Sequence, residues 1–193
     1  MEYKNKVLII EDDKQISHFL GTVLSANNFD VITADTGEYG CAVISSHCPD
    51  IVILDLGLPG MDGWEVIDSV RKWSSMPIIV LSARNSEADK VAALEKGADD
   101  YITKPFGTNE LIARIKTALR HTRTASGDDS IAVEGVFRTG GLTVDYSKYR
   151  VYVDGKDANL TQNEFKLVAL LGKNAGRVLT YDYIIKQLWG PHA

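Results

Sequence analysis

Cysteine is almost missing from this chain. Only Cys41 and Cys48 occur among 193 residues, without a CxxC spacing and without other ligand types around them. That excludes a disulfide framework, gives no support to a zinc site, and leads to the expectation of a reducing, cytoplasmic setting. Long apolar runs are missing as well. No stretch approaches the roughly twenty residues that a membrane span needs, so no membrane association is predicted. The run Val7 to Ile10, behind Met1-Glu2-Tyr3-Lys4-Asn5-Lys6, is too brief for the core of an export signal. The histidines (His18, His47, His121 and His192) show no ligand spacing, and none receives a role. Positive charge is also scarce where a nucleic-acid binder would carry it. Residues 1–120 hold 12 Lys+Arg against 18 Asp+Glu, net −6, and residues 121–193 hold 9 against 8, net +1. An acidic first part suits a cation better than nucleic acid, and a neutral second part falls short of the basic patch of a complete DNA-binding domain.

The rest of the composition, 45% hydrophobic and 24% charged, is that of an ordinary soluble globular protein, and the length suits two domains. Residues 1–120 alternate short apolar runs with longer amphipathic ones, the pattern of parallel strands covered by helices on both faces. Strands are predicted at Lys6–Ile10, Phe29–Thr33, Ile51–Leu54, Pro77–Leu81 and Asp100–Thr103. Helices are predicted near 14–26, 36–47, 63–73, 86–96 and 107–120. Five βα units with right-handed crossovers give an α/β fold, a doubly wound, five-stranded parallel sheet of flavodoxin-like type. Residues 121–135 mix Thr, Ser, Gly, Asp and Arg without periodicity and read as a linker. Leu142–Asp145 and Tyr149–Asp154 then alternate as antiparallel strands, with Asp154-Gly155 as the turn. Thr161-Gln162-Asn163-Glu164 is a capping box opening a helix that stops near Gly172, and a second helix is predicted from Thr180 to the Trp189-Gly190-Pro191 break.

In an open parallel sheet, ligands bind beyond the carboxyl ends of the strands. Glu11, Asp12 and Asp13 stand there after the first strand, Asp55 after the third, Ser82 after the fourth and Lys104 after the fifth. Any one of these acids could be a helix cap or a solvated loop residue. Carboxylates from two strand ends, however, repel one another unless a cation sits among them, and hard oxygen donors select Mg²⁺. An incoming phosphoryl group would then be neutralised by Mg²⁺ and the Lys104 ammonium and hydrogen-bonded by Ser82. Asp55, central on the third strand, would be the nucleophile.

These residues carry a resemblance. Val7 to Asp13, Ile53 to Gly63, Leu81 to Arg84 and Lys104-Pro105-Phe106 resemble the motifs of receiver domains, and the match covers residues 5–120. It implies that Glu11, Asp12, Asp55 and the backbone carbonyl of Gly57 hold Mg²⁺ and that Asp55 is phosphorylated by a sensor histidine kinase. It also implies a usually cis Lys104-Pro105 bond, with Asp13 less involved at the ion. Ser82 and Tyr101 would act as a switch pair, although Tyr101 alone would pass as a half-buried strand aromatic. Leu160 to Phe165 and Gly176 to Thr180 resemble the start of the winged helix-turn-helix of OmpR/PhoB-type response regulators. On that resemblance, 1–120 is the receiver, 121–135 the linker and 136–193 the N-terminal part of an α+β DNA-binding domain whose recognition helix and wing are expected to be absent. Promoter DNA is then a partner of the full-length protein only. The resemblance further implies a homodimer through the last two receiver helices, with Lys90 facing Glu110 and Asp100 facing Arg114 across it. Locally, Glu110 and Arg114 could equally pair within one helix, at i and i+4.

Two rival readings remain. A phosphatase that forms an aspartyl phosphate would need a second carboxylate two residues after Asp55, where Gly57 stands, so no enzyme is expected. A receiver-based adaptor that signals only through protein contacts is the alternative to a transcriptional regulator.

Overall fold

Five short apolar runs form the strands of a parallel sheet: β1 (Lys6–Ile10), β2 (Asp30–Ala34), β3 (Ile51–Leu54), β4 (Ile78–Ser82) and β5 (Asp100–Thr103). The helices between and after them are α1 (Lys14–Ala26), α2 (Gly37–His47), α3 (Gly63–Arg71), α4 (Glu87–Lys96) and α5 (Thr108–Ala125). This computed structural model describes residues 4–125 and 135–189, in two units divided between Thr122 and Arg123. The strand order of the first unit is β2-β1-β3-β4-β5, all parallel, which is the doubly wound sheet that the periodicity predicts.

Because side chains alternate along a strand, the sheet has two cores. Val7 and Ile9 of β1, with Ile51 and Ile53 of β3, pack under α1 and α5 with Leu20, Leu24, Leu111 and Ile115. Leu8 and Ile10, with Val52 and Leu54, pack on the other face against Val43, Val66, Ile67 and Val70. β1 and β3 are buried along almost their whole length, as central parallel strands must be.

Helix ends are set by local chemistry. Asp13 caps α1, accepting from the Gln15 and Ile16 amides at 2.8 and 3.2 Å. Asp62 and Glu65 close a capping box on α3, and Gly97, with φ at +113°, ends α4 in the left-handed conformation that glycine tolerates. Two boundaries differ from the periodicity by two residues or more. α3 ends at Arg71, two residues before the predicted end, because the Arg71 side chain turns back onto loop carbonyls. α5 runs to Ala125, into the segment that the sequence assigns to a linker, since no breaker stands before Gly127.

The second unit is a four-stranded antiparallel sheet, β6 (Val136–Thr139), β7 (Leu142–Asp145), β8 (Arg150–Val153) and β9 (Lys156–Asp157), followed by α6 (Gln162–Lys173) and α7 (Tyr181–Trp189). A C-terminal sheet-and-helix region of this kind is consistent with a winged helix-turn-helix domain. Asp154 and Gly155 both have positive φ, at +49° and +77°, and form the two-residue turn that the Asp-Gly pair predicts. Thr161 and Glu164 form the predicted capping box, while the predicted Gly190-Pro191 stop lies outside the described residues. Phe137, Val144, Val151, Phe165 and Ala169 make the core. At its edge the Tyr146 hydroxyl is buried and has no hydrogen-bond partner among the described residues, which also pushes the phenol pKa up through burial. A buried, unsatisfied hydroxyl is destabilising, so Tyr146→Phe is expected to stabilise this unit by about 1 kcal/mol. A thermal melt showing destabilisation would reveal that the hydroxyl has a partner.

Candidate functional site

Strand register brings the acidic residues together. Ile10 pairs with Leu54, so Glu11 and Asp55 leave the sheet side by side, each tied to the neighbouring strand: Asp55 N–H donates to the Ile10 carbonyl and Glu11 N–H to the Ala34 carbonyl, both at 3.0 Å. Ser82 pairs with Thr103, which places Lys104 at the same end of the sheet, its N–H donating to the Ser82 carbonyl at 2.9 Å. The site sits beyond β1 and β3, where the strand order reverses, as expected for a doubly wound sheet.

The charged groups meet in a small volume. Lys104 Nζ lies 2.7 Å from Glu11 Oε2 and 3.2 Å from Asp55 Oδ2. Glu11 also accepts from the Asp13 amide at 3.1 Å, and Asp55 from the Gly57 amide at 3.1 Å. One carboxylate oxygen from each of Glu11, Asp12 and Asp55 lies within 4.8 Å of the others. Three hard oxygen donors at that spacing fit a divalent cation that keeps several waters, which is the habit of Mg²⁺. Glu11 has the least exposed side chain among the ion-paired groups of the site, at 3%, and burial pushes its carboxyl pKa up against the lowering hydrogen bonds of Lys104 and Asp13. Burial pulls Lys104 down, but its hydrogen bond to Glu11 and the charges of Asp55 and Glu11 prevail, and its pKa rises. The ammonium is therefore held charged between two carboxylates, the condition for neutralising an incoming anion.

Ser82 is buried, and its Oγ accepts from the Arg84 amide at 3.2 Å. Two residues on, the Arg84 carbonyl accepts from the Tyr101 hydroxyl at 2.7 Å. Ser82, Arg84 and Tyr101 thus form one hydrogen-bonded chain running from the site to β5, with Tyr101 half-buried against the core. The Lys104-Pro105 bond is cis.

The remaining candidates stand on α4, β5 and α5. Arg114 pairs with Asp100 at 2.9 Å and with Glu110 at 2.8 Å, so the local i, i+4 pairing is present within the chain and Asp100 joins it. Lys90 is half-buried on α4, beside the exposed Val91 and Leu94. Asp13 serves as a helix cap and lies outside the trio of metal-type donors.

Sequence reasoning missed two residues that tie backbone segments together, Glu38 beside the site and Arg71 at the opposite end of the sheet. Glu38, in the first turn of α2, accepts from the Met61 amide at 3.2 Å. Arg71 donates to the Gly97, Ser74 and Met76 carbonyls and pairs with Asp99. Both act on distant backbone, which leaves no mark in spacing or periodicity.

Comparison with known proteins places these features among relatives. The model of the family described as response regulator receiver domain matches residues 7–116, and that described as transcriptional regulatory protein, C terminal, matches residues 155–193. The chain is 45% identical over 188 residues to the KDP operon transcriptional regulatory protein KdpE of Escherichia coli, covering 97% of this chain and 81% of that protein. It is 41% identical to the transcriptional regulatory protein KdpE of Mycobacterium tuberculosis, covering 96% of this chain and 80% of that one. Among solved structures, the response regulator DrrB, a Thermotoga maritima OmpR/PhoB homologue, matches 97% of this chain and 81% of its own at 28% identity and a TM-score of 0.56.

Proposed function

The chain belongs to the response regulators, phosphorylation-activated transcriptional regulators of the OmpR/PhoB type, and on that premise we propose that Asp55 is its phosphoacceptor. The reading is carried by one observation: Lys104 Nζ bridges the carboxylates of Glu11 and Asp55 at the end of the central strands. An Asp55 oxygen attacks the phosphorus of a phosphohistidine on a sensor kinase, the P–N bond breaks, and its electron pair returns to the imidazole. Asp55 is left as an acyl phosphate. Glu11, Asp12, Asp55 and the Gly57 carbonyl would hold Mg²⁺, which when bound neutralises charge on the transferring group. Lys104 neutralises a further phosphoryl oxygen and Ser82 donates a hydrogen bond to another.

The switch follows from the chain of hydrogen bonds. A Ser82 hydroxyl drawn toward the phosphoryl group gives up its bond from the Arg84 amide, and Arg84 is the residue that holds Tyr101. Phosphate thereby biases the position of Tyr101 only if it binds one arrangement better than the other. The output is dimerisation through α4, β5 and α5, where exposed Val91 and Leu94 lie among charges. Arg114 then exchanges its Asp100 contact for that of a second copy, and Lys90 meets the second copy's Glu110. Promoter DNA is the further partner, supported by the match of residues 155–193 to the transcriptional regulatory protein, C terminal, family. The kinship with KdpE proteins, together with the runs Leu54 to Pro59, Arg71 to Ser74 and Trp189 to Pro191, supports a role in controlling a potassium-transport operon from the cytoplasm.

Intact-mass measurement after incubation with a small phosphoryl donor and Mg²⁺ tests this directly, with light scattering on the same samples. One added phosphoryl group, absent from Asp55→Ala, and a shift from monomer toward dimer are expected. A phosphorylated Asp55→Ala protein would remove Asp55 from its role. A phosphorylated chain of unchanged molar mass would remove the dimer.

A further inference from the structure

The loop from Leu56 to Asp62 follows the phosphoacceptor and contains Gly57, whose amide donates to Asp55 Oδ1 at 3.1 Å. Its position is fixed from two sides. On one side α3 begins directly beneath it: a side chain on Gly63 would lie 2.5 Å from the Asp55 carbonyl oxygen and 2.7 Å from Leu56 Cα. On the other side stands the N-terminus of α2, which supplies none of the acidic donors. Glu38 Oε1 accepts from the Met61 amide at 3.2 Å and lies against Gly60, whose φ of +73° turns the loop. A side chain on the preceding Gly37 would run into the Met61 carbonyl, so α2 and the loop are in direct backbone contact.

We infer that Glu38 is a positioning residue for the phosphoacceptor loop, acting through Met61 to keep Gly57 and Asp55 in the geometry that holds the metal ion. The inference rests on the acidic site being a Mg²⁺ site. Glutamate in the first turn of a helix usually favours the helix dipole, and that role would be felt in stability alone. Here the carboxylate reaches across 23 residues to a loop amide, and that amide belongs to the segment carrying a proposed ligand. Loss of such an outlying hydrogen bond loosens the ligands it orients and weakens metal binding with little effect on the fold.

Glu38→Ala and Glu38→Gln separate the possibilities. Glutamine keeps the carbonyl oxygen that accepts from Met61 and removes the charge. Calorimetric Mg²⁺ titration of the metal-free proteins is expected to show Glu38→Ala weaker by roughly threefold to tenfold, the worth of one hydrogen bond, and Glu38→Gln close to wild type. Melting temperatures are expected to be alike for all three, and the Met61 amide is expected to exchange faster in Glu38→Ala alone. Unchanged Mg²⁺ affinity in Glu38→Ala would overturn the inference. So would a Glu38→Gln protein as weak as Glu38→Ala, which would assign the effect to charge. A wild-type protein that binds no Mg²⁺, like an Asp12→Ala control, would remove the metal-site reading itself and the inference with it.

Discussion

Lys104→Met is expected to lower the rate of phosphorylation at Asp55 by two to three orders of magnitude, about the loss seen when a donor to developing anionic charge is deleted from a water-poor site. The side chain is the only cation within salt-bridge distance of Asp55 among the described residues, and methionine keeps its length and apolar stem. Mg²⁺ binding should respond in the opposite sense. Lys104 competes for the Glu11 and Asp55 charges that the ion would use, so removing the ammonium leaves Mg²⁺ affinity equal or higher. The divergence of the two readouts is the point of the experiment. Without Lys104, the buried Glu11 carboxyl loses its counter-ion, and its already raised pKa rises further until Mg²⁺ replaces the charge. A variant phosphorylated within threefold of the wild-type rate, measured by intact mass over time with a small phosphoryl donor, would show that Lys104 is structural.

The acidic site was legible in the sequence because it depends on strand ends, and strand ends follow from apolar runs. Once β1, β3, β4 and β5 are recognised, the residues after each are brought together by parallel register, as Ile10 with Leu54 and Ser82 with Thr103 show. Strands shorter than their own alternation were not legible. β9 is two residues long, too short to display a period, and β6 begins directly after Gly135, in a stretch that reads as the end of a linker. The continuation of α5 beyond Arg120 was hidden for the opposite reason: His121, Thr122, Arg123 and Thr124 offer no apolar face, and only the lack of a breaker carries the helix on. The pairing of Arg114 could not be chosen from spacing: Glu110 at i−4 offered a partner on the same helix, while the proximity of Asp100 on β5 is visible only in the fold. Within the chain Arg114 pairs with both Glu110 and Asp100.

Arg71 is the clearest case of a residue whose importance only the fold reveals, and its replacement carries the largest expected effect on stability. At the end of α3 its guanidinium donates to the carbonyls of Gly97, Ser74 and Met76 at 2.9, 3.1 and 2.7 Å and pairs with Asp99 at 3.0 Å. Asp99 in turn accepts from the Ile78 amide at 2.8 Å, so one side chain ties the end of α3 and the entries to β4 and β5 to the C-cap of α4. Burial lowers the Arg71 pKa and raises that of Asp99, both toward the neutral forms, so forming the pair is itself expensive. The pair is weak evidence of net stabilisation, but breaking it strands three carbonyls and a partly buried carboxylate. Arg71→Met is therefore expected to destabilise the first unit by about 3 kcal/mol and to lower its melting temperature by roughly 10 °C. Asp99→Asn, which retains an acceptor for Ile78, should lose about 1 kcal/mol. Because Arg71→Met already removes their shared interaction, the double variant should lose less than the sum. Strict additivity in chemical denaturation would mean that Arg71 and Asp99 act independently and that the Arg71 contribution lies in its carbonyl contacts alone.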